Sequence, residues 1–184
     1  MGCGKSTVVA EFCKLGISSF VADRAGADCY NDLSFLAEVR TLLGDDVFRP
    51  DGSVDKRLIA SKVFADAGLL TGLNALVHPR VMKAFDQFCE DHSKEPYVLF
   101  ESAILYDYGF DRLMDRVVCV YLHLDERLER LVCRDHASRE ELMARIANQM
   151  PAEEMMRRAD YVILNYEGNP RQRQVAYIDQ LLRQ

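Results

Sequence analysis

No run of apolar residues in this sequence is long enough to span a bilayer, and the charged, apolar and small-residue layout of a secretory leader is missing. Positive charge is in the minority. Lys and Arg number 23 against 29 Asp and Glu, a net charge of -6, which argues against nonspecific nucleic-acid binding and requires a local basic site for any anionic ligand. The six cysteines, Cys3, Cys13, Cys29, Cys89, Cys119 and Cys133, include no C-x-x-C pair, and several lie in apolar stretches. That pattern fits reduced core thiols rather than zinc ligands or disulfides. Internal repeats and low-complexity linkers are also lacking. These absences lead us to expect a soluble cytoplasmic protein with no nucleic-acid or membrane partner, monomeric or weakly homo-oligomeric. The 184 residues, 49% of them hydrophobic, suit one domain with a real core.

What the sequence does have begins at its second residue. Gly2-Cys3-Gly4-Lys5-Ser6-Thr7 forms the back half of the phosphate-binding pattern G-x-x-x-x-G-K-[ST], with Gly4, Lys5 and Ser6 in its last three positions. In such a loop, backbone N–H groups cradle phosphates, the lysine reaches the outer ones and the hydroxyl holds magnesium. Gly2 lets the main chain approach an anion without a Cβ in the way. Residues 5–15 read as a helix whose positive end faces the same anion.

Downstream, short apolar runs alternate with helical patterns, as in strand-helix-strand units around a parallel sheet. Strands are expected at 20–22, 97–100, 117–122 and 161–164, the last three rich in Val, Ile, Leu and Tyr without polar alternation. Gly16 and Gly44 read as C-terminal caps of helices over 5–15 and 35–43. Pro50-Asp51-Gly52 reads as a turn, followed by a helix capped by Ser53 or Asp55 and running to about residue 64. Pro79 is expected to begin a helix, since proline fits a first turn and disfavours helical geometry at His78. The long strand-free stretch 24–96 is expected to be a helical insertion that holds substrate.

Several side chains are candidates for chemistry. The first strand is expected to end at Asp23, and ligands of parallel sheets gather at strand carboxyl ends, so this carboxylate is placed either to take a proton from an attacking hydroxyl or simply to cap a helix. Glu101 follows the strand 97–100, and Asp107 lies a few residues on; either is a possible magnesium organiser through water or a structural acid. His78 is read as a packed or capping histidine. The region after residue 122 is dense in arginine, with Arg127, Arg130, Arg134, Arg139, Arg145, Arg157 and Arg158 set among Glu126, Glu129, Glu140 and Glu141. Most of these charges form a solvated face. Arg134 and Arg139 bracket the polar stretch Asp135-His136-Ala137-Ser138, a hinge between helices, and are the first choices for stabilising a phosphoryl group in transfer.

The order of these features resembles the dephospho-CoA kinases over nearly the whole chain. The residues that carry the likeness are the loop 2–7, Ala22-Asp23, Leu73-Asn74-Ala75-Leu76-Val77-His78-Pro79, the acid-ended strand before Ile104-Leu105, Arg134-Asp135, and Asn165 followed by Gly168. The resemblance implies an α/β fold with a P-loop kinase-type parallel sheet flanked by helices. It further implies a core of residues 1–23, 97–133 and 159–184, a helical substrate-binding region at 24–96 and a lid at 134–158. The implied reaction is transfer of the ATP γ-phosphoryl group to the ribose 3'-hydroxyl of dephospho-CoA, with ATP and Mg2+ required. Asp23 then matches the catalytic base, Gly2, Cys3, Gly4, Lys5, Ser6 and Thr7 the nucleotide loop, and His78-Pro79 a motif that meets the acceptor. Lys5, Arg134 and Arg139 assist catalysis, and Ser6 and Glu101 serve the metal.

The chain departs from the family pattern in keeping only the second acid of Asp-Ala-Asp, in Val21-Ala22-Asp23, and in having Ala103 where proline is usual. The resemblance also implies that about ten residues are absent before Met1, comprising the central strand of the sheet and the first part of the loop. Two alternatives stay open from sequence: another small-molecule or nucleotide P-loop kinase, and an inactive nucleotide-binding fragment.

Overall fold

The computed structural model describes residues 2–135, 137–147 and 149–184; the side chain of Arg145 and His136, part of the expected hinge, lie outside that description. The chain divides into two compact units, one of residues 1–19 and 93–184 and one of residues 20–92.

The first unit opens with helix α1 (Lys5–Lys14), which buries Val8 and Phe12, one turn apart on a single face. It ends where expected. Gly16, at φ 84°, donates its N–H to the Cys13 carbonyl in the left-handed conformation that glycine adopts at low cost. Strand β1 (Ser19–Val21) starts at the edge of this unit and pairs with β2 (Leu99–Glu101). A second two-stranded sheet joins β3 (Val118–Tyr121) to β4 (Tyr161–Leu164) in parallel, with Val118 opposite Tyr161 and Tyr121 opposite Leu164. Parallel neighbours need a long crossover. Here it is supplied by α6 (Leu124–Asp135), α7 (Arg139–Ala147) and α8 (Ala152–Arg158). Helix α9 (Arg171–Leu182) follows β4 and lays Val175 and Ile178 against Val8, Phe12, Ile17 and Ile163 to form the core of the unit. A smaller cluster of Leu128, Leu131 and Leu142 locks α6 to α7.

The second unit is helical: α2 (Ala22–Asp28), α3 (Leu33–Leu43), α4 (Lys56–Ala65) and α5 (Ala67–Asp91). Aspartates set three of the four starts. Asp32 accepts from the Ser34 N–H, Asp55 from Arg57 and Leu58, and Asp66 from Gly68 and Leu69, each satisfying first-turn donors that have no intrahelical partner. Asp55 is therefore the cap of α4, while Ser53 belongs to the turn before it, where its N–H and hydroxyl both donate to Asp51. The core collects Phe35, Val39 and Leu43 from α3, Ile59 and Val63 from α4, and Leu73 from α5, all at helical spacing.

The structure corrects three sequence expectations. The strand expected at 20–22 ends at Val21, so Asp23 lies not at a strand end but in the first turn of α2, where a carboxylate is favoured by the unpaired N–H groups. The strand expected at 97–100 is shifted: its ladder begins at Leu99, whose N–H donates to the Ser18 carbonyl, and Glu101 is its last residue. Tyr97 instead directs its hydroxyl to Asp179 on α9 at 2.6 Å.

Pro79 does not begin a helix but sits inside the 25-residue α5, with His78 helical before it. A proline there removes one backbone bond and crowds the preceding turn. Two contacts of the next residue hold the helix here. Arg80 Nη1 donates to the Leu76 carbonyl at 2.9 Å, and the same guanidinium grips Glu38 on α3 at 2.7 Å. Tertiary packing of α5 on α3 overrides the local stop signal.

Phe35 is fully buried, meets the Tyr30 ring edge-on at 5.0 Å and has the Arg80 guanidinium 5.2 Å from its centroid. Phe35→Ala is expected to lower unfolding free energy by about 3–5 kcal/mol. Urea denaturation followed by circular dichroism measures it; a loss comparable to that of a surface substitution would contradict this packing.

Candidate active site

The loop before α1 is shaped by two glycines with positive φ, Gly2 at 72° and Gly4 at 87°. Both positions are also crowded. A Cβ on Gly2 would meet Leu131 Cγ at 2.8 Å, and one on Gly4 would collide with the side-chain nitrogen of Asn165. The first helical bond of α1 runs from the Val8 N–H to the Gly4 carbonyl at 3.1 Å, so the N–H groups of Lys5, Ser6 and Thr7 precede any intrahelical bond. No side chain caps them, no acidic residue occupies the first turn, and Lys5 stands at the first helical position. A cation at a helix N-terminus opposes the macrodipole. An anion held between these amides and Lys5 would satisfy both.

Ser6 and Glu101, far apart in sequence, are brought together. The Ser6 hydroxyl donates to Glu101 Oε1 at 2.7 Å, joining the first turn of α1 to the end of β2. Hydroxyl and carboxylate form a hard-oxygen pair of the kind that holds magnesium along with phosphate oxygens and water. Among the described residues no group of three or more His, Cys, Asp or Glu is placed to hold a metal. An ion here would therefore rest on Ser6, Glu101 and the oxygens of its ligand. Lys5 and Cys3 line a small cavity of about 80 Å³ with Ser102 and Asp107, and among the described residues no carboxylate lies within ion-pair distance of Lys5. Its ammonium is free to meet phosphate.

A larger open cavity of about 630 Å³ is linked to the loop through Asn165, one of its lining residues. Its walls are the segment 165–172 after β4 together with Glu126 and Arg130 of α6. Asn165 is the hinge between cavity and loop. Buried to 5% exposure, it donates from Nδ2 to the Cys3 carbonyl at 2.7 Å and accepts at Oδ1 from Arg171 at 2.9 Å. Sequence reasoning cited Asn165 and Gly168 only as marks of a resemblance and missed this contact. The one available signal was a lone asparagine ending an apolar strand.

The expected lid arginines both have partners. Arg134 forks onto Asp135 at 2.6 and 3.0 Å, and Arg139 reaches Asp125 at 2.8 Å. Both lie with the loop and Glu101 in the first unit. Asp23, His78 and Pro79 belong to the second. Burial depresses the pKa of His78, which favours a neutral imidazole.

Comparison with known proteins places the whole chain in a family. The dephospho-CoA kinase family model matches residues 1–170. This chain belongs to the dephospho-CoA kinase family. Dephospho-CoA kinase from Bacteroides fragilis is 35% identical over 171 residues, covering 92% of this chain and 83% of the relative. That from Chlorobaculum tepidum is 36% identical over 172 residues, covering 90% and 82%. Among solved structures, TT1252 from Thermus thermophilus superposes with a TM-score of 0.87 at 30% identity over 98% of this chain and 92% of that one. Dephospho-CoA kinase from Campylobacter jejuni shares the fold, with a TM-score of 0.60 at 22% identity over 99% and 93%.

For a kinase of this family the glycine loop predicts a sharp steric test. Gly4→Ala places a methyl group in the Asn165 amide and demands a φ that alanine disfavours, so ADP affinity is expected to fall roughly 100-fold. Isothermal titration calorimetry reads it; parent-like affinity would show that the loop does not bind the phosphates.

Proposed function

We propose that this chain, as a dephospho-CoA kinase, transfers the γ-phosphoryl group of ATP to the ribose 3'-hydroxyl of dephospho-CoA. The observation that carries the reading is the uncapped, positively charged start of α1 beside the Ser6–Glu101 pair. It supports a phosphate grip in which the amides after Gly4 hold the phosphate chain and Lys5 draws charge from its outer oxygens. Magnesium, when bound by Ser6 and Glu101, would neutralise phosphate charge. The cavity walled by residues 165–172 takes the nucleoside, since Asn165 links it to the loop and its lining joins polar side chains to the Tyr166 ring.

Phosphoryl transfer leaves little covalent chemistry to the protein, so positioning and charge compensation dominate. Asp23 accepts the proton of the attacking 3'-hydroxyl as the oxygen approaches phosphorus. The helical region 24–96, with His78 and Pro79, holds the acceptor. Arg134 and Arg139 serve the migrating group once the segment 134–158 closes, exchanging Asp135 and Asp125 for phosphoryl oxygens. The acidic net charge and the unpaired thiols agree with an enzyme of the cytoplasm, without nucleic-acid partners, working as a monomer or weak homo-oligomer.

A coupled ADP-release assay tests the reading directly. Turnover is expected with dephospho-CoA and not with AMP or a sugar acid as acceptor, and it disappears in Lys5→Ala while the chain stays folded. In Asp23→Asn, kcat should fall roughly 100-fold or more with little change in KM for ATP. An Asp23→Asn enzyme turning over at the parent rate removes the base assignment, and preference for another acceptor removes the substrate.

A further inference from the structure

We propose that Asn165 is a positioning residue whose carboxamide couples the wall of the 165–172 cavity to the phosphate-gripping loop, so that the loop keeps its binding shape only while Arg171 anchors the strut. The inference rests on the reading of that loop as the nucleotide phosphate site. Its geometry does not depend on which acceptor the enzyme uses.

The orientation of the amide is fixed by chemistry. A guanidinium can only donate and a carbonyl can only accept, so with Arg171 on one side and the Cys3 carbonyl on the other, Oδ1 must face Arg171 and Nδ2 must face Cys3. No residue of similar size offers a donor and an acceptor in these two directions. Aspartate would keep the Arg171 contact and set a carboxylate oxygen against the Cys3 carbonyl, while leucine would satisfy neither.

Both ends of the strut are held. The Asn165 N–H donates to the Tyr121 carbonyl at 2.8 Å, extending the β3–β4 ladder by one residue, so its Cα is placed by the sheet. Arg171 is the first residue of α9 and lines the cavity. Among the described residues it has no carboxylate partner, and its Nε is buried with no hydrogen bond. Among the described residues its hydrogen-bond partner is the amide oxygen of Asn165. At the other end, Nδ2 occupies the space a side chain on Gly4 would need, so the strut sets both the direction of the Cys3 carbonyl and the room allowed to the turn. The peptide that follows that carbonyl carries the Gly4 N–H, so rotating the carbonyl away from Asn165 swings that donor out of line.

The test uses Asn165→Asp, Arg171→Met and the double variant, with ADP affinity from calorimetry and folding from thermal melting. Asn165→Asp is expected to weaken ADP roughly 100-fold while melting cooperatively, and Arg171→Met to weaken it less. In the double variant the losses should not multiply, because both changes break one strut. Parent-like ADP binding by Asn165→Asp, or fully multiplicative losses, would overturn the proposal.

A second readout holds if Asn165→Asp folds poorly. In nucleotide-free Arg171→Met, site-resolved alkylation should label Cys3 several-fold faster than in the parent, with Cys13 and Cys133 unchanged. An unaltered Cys3 rate would show that no coupling reaches the loop. A parent enzyme that binds ADP but phosphorylates an acceptor other than dephospho-CoA would remove the proposed substrate and leave the strut standing.

Discussion

The chain from Gly2 to Gly4 is confined between Leu131 on one side and the Asn165 amide on the other, and this confinement governs the rest of the site. Only glycine fits, since both the positive φ and the absent Cβ are required at each position. With the turn held, α1 begins at Lys5, its leading amides stay uncapped, and Ser6 falls opposite Glu101. Each feature follows from where the backbone is forced to go.

The two units differ in how they are built. The first packs short strands against α1 and α9 in one apolar cluster, and carries loop, strand-end acid and cavity. The second buries its core among helices started by aspartate caps and contains Asp23 and His78. In kinases that move a phosphoryl group between small molecules, the donor needs a fixed grip and the acceptor must enter and leave.

Much of this was legible in the sequence wherever the determinant was local. Gly16 and Gly44 ended helices and Asp55 started one because capping is settled within a few residues of chain. The strand 161–164 was fully specified by its apolar run. Ser6 and Glu101 each stood out by residue type, a P-loop hydroxyl and an acid at a strand end, but their direct hydrogen bond did not. Pro79 misled because Arg80 and the packing of α5 on α3 stabilise a helix that local preference would stop. The strand end was misplaced at Asp23 because a three-residue strand gives way to a helix without a polar break. The Asn165 contact with Cys3 was marked only by an asparagine ending an apolar strand, which could not name the partner, since the two residues lie at opposite ends of the chain.

The account is tested most directly by a crystal structure of the chain with ADP and Mg2+. It predicts the β-phosphate against the amides that open α1, Lys5 reaching its oxygens, and the metal on Ser6 beside Glu101, with the Cys3 carbonyl still on Asn165. A diphosphate lodged away from residues 2–7 would contradict it.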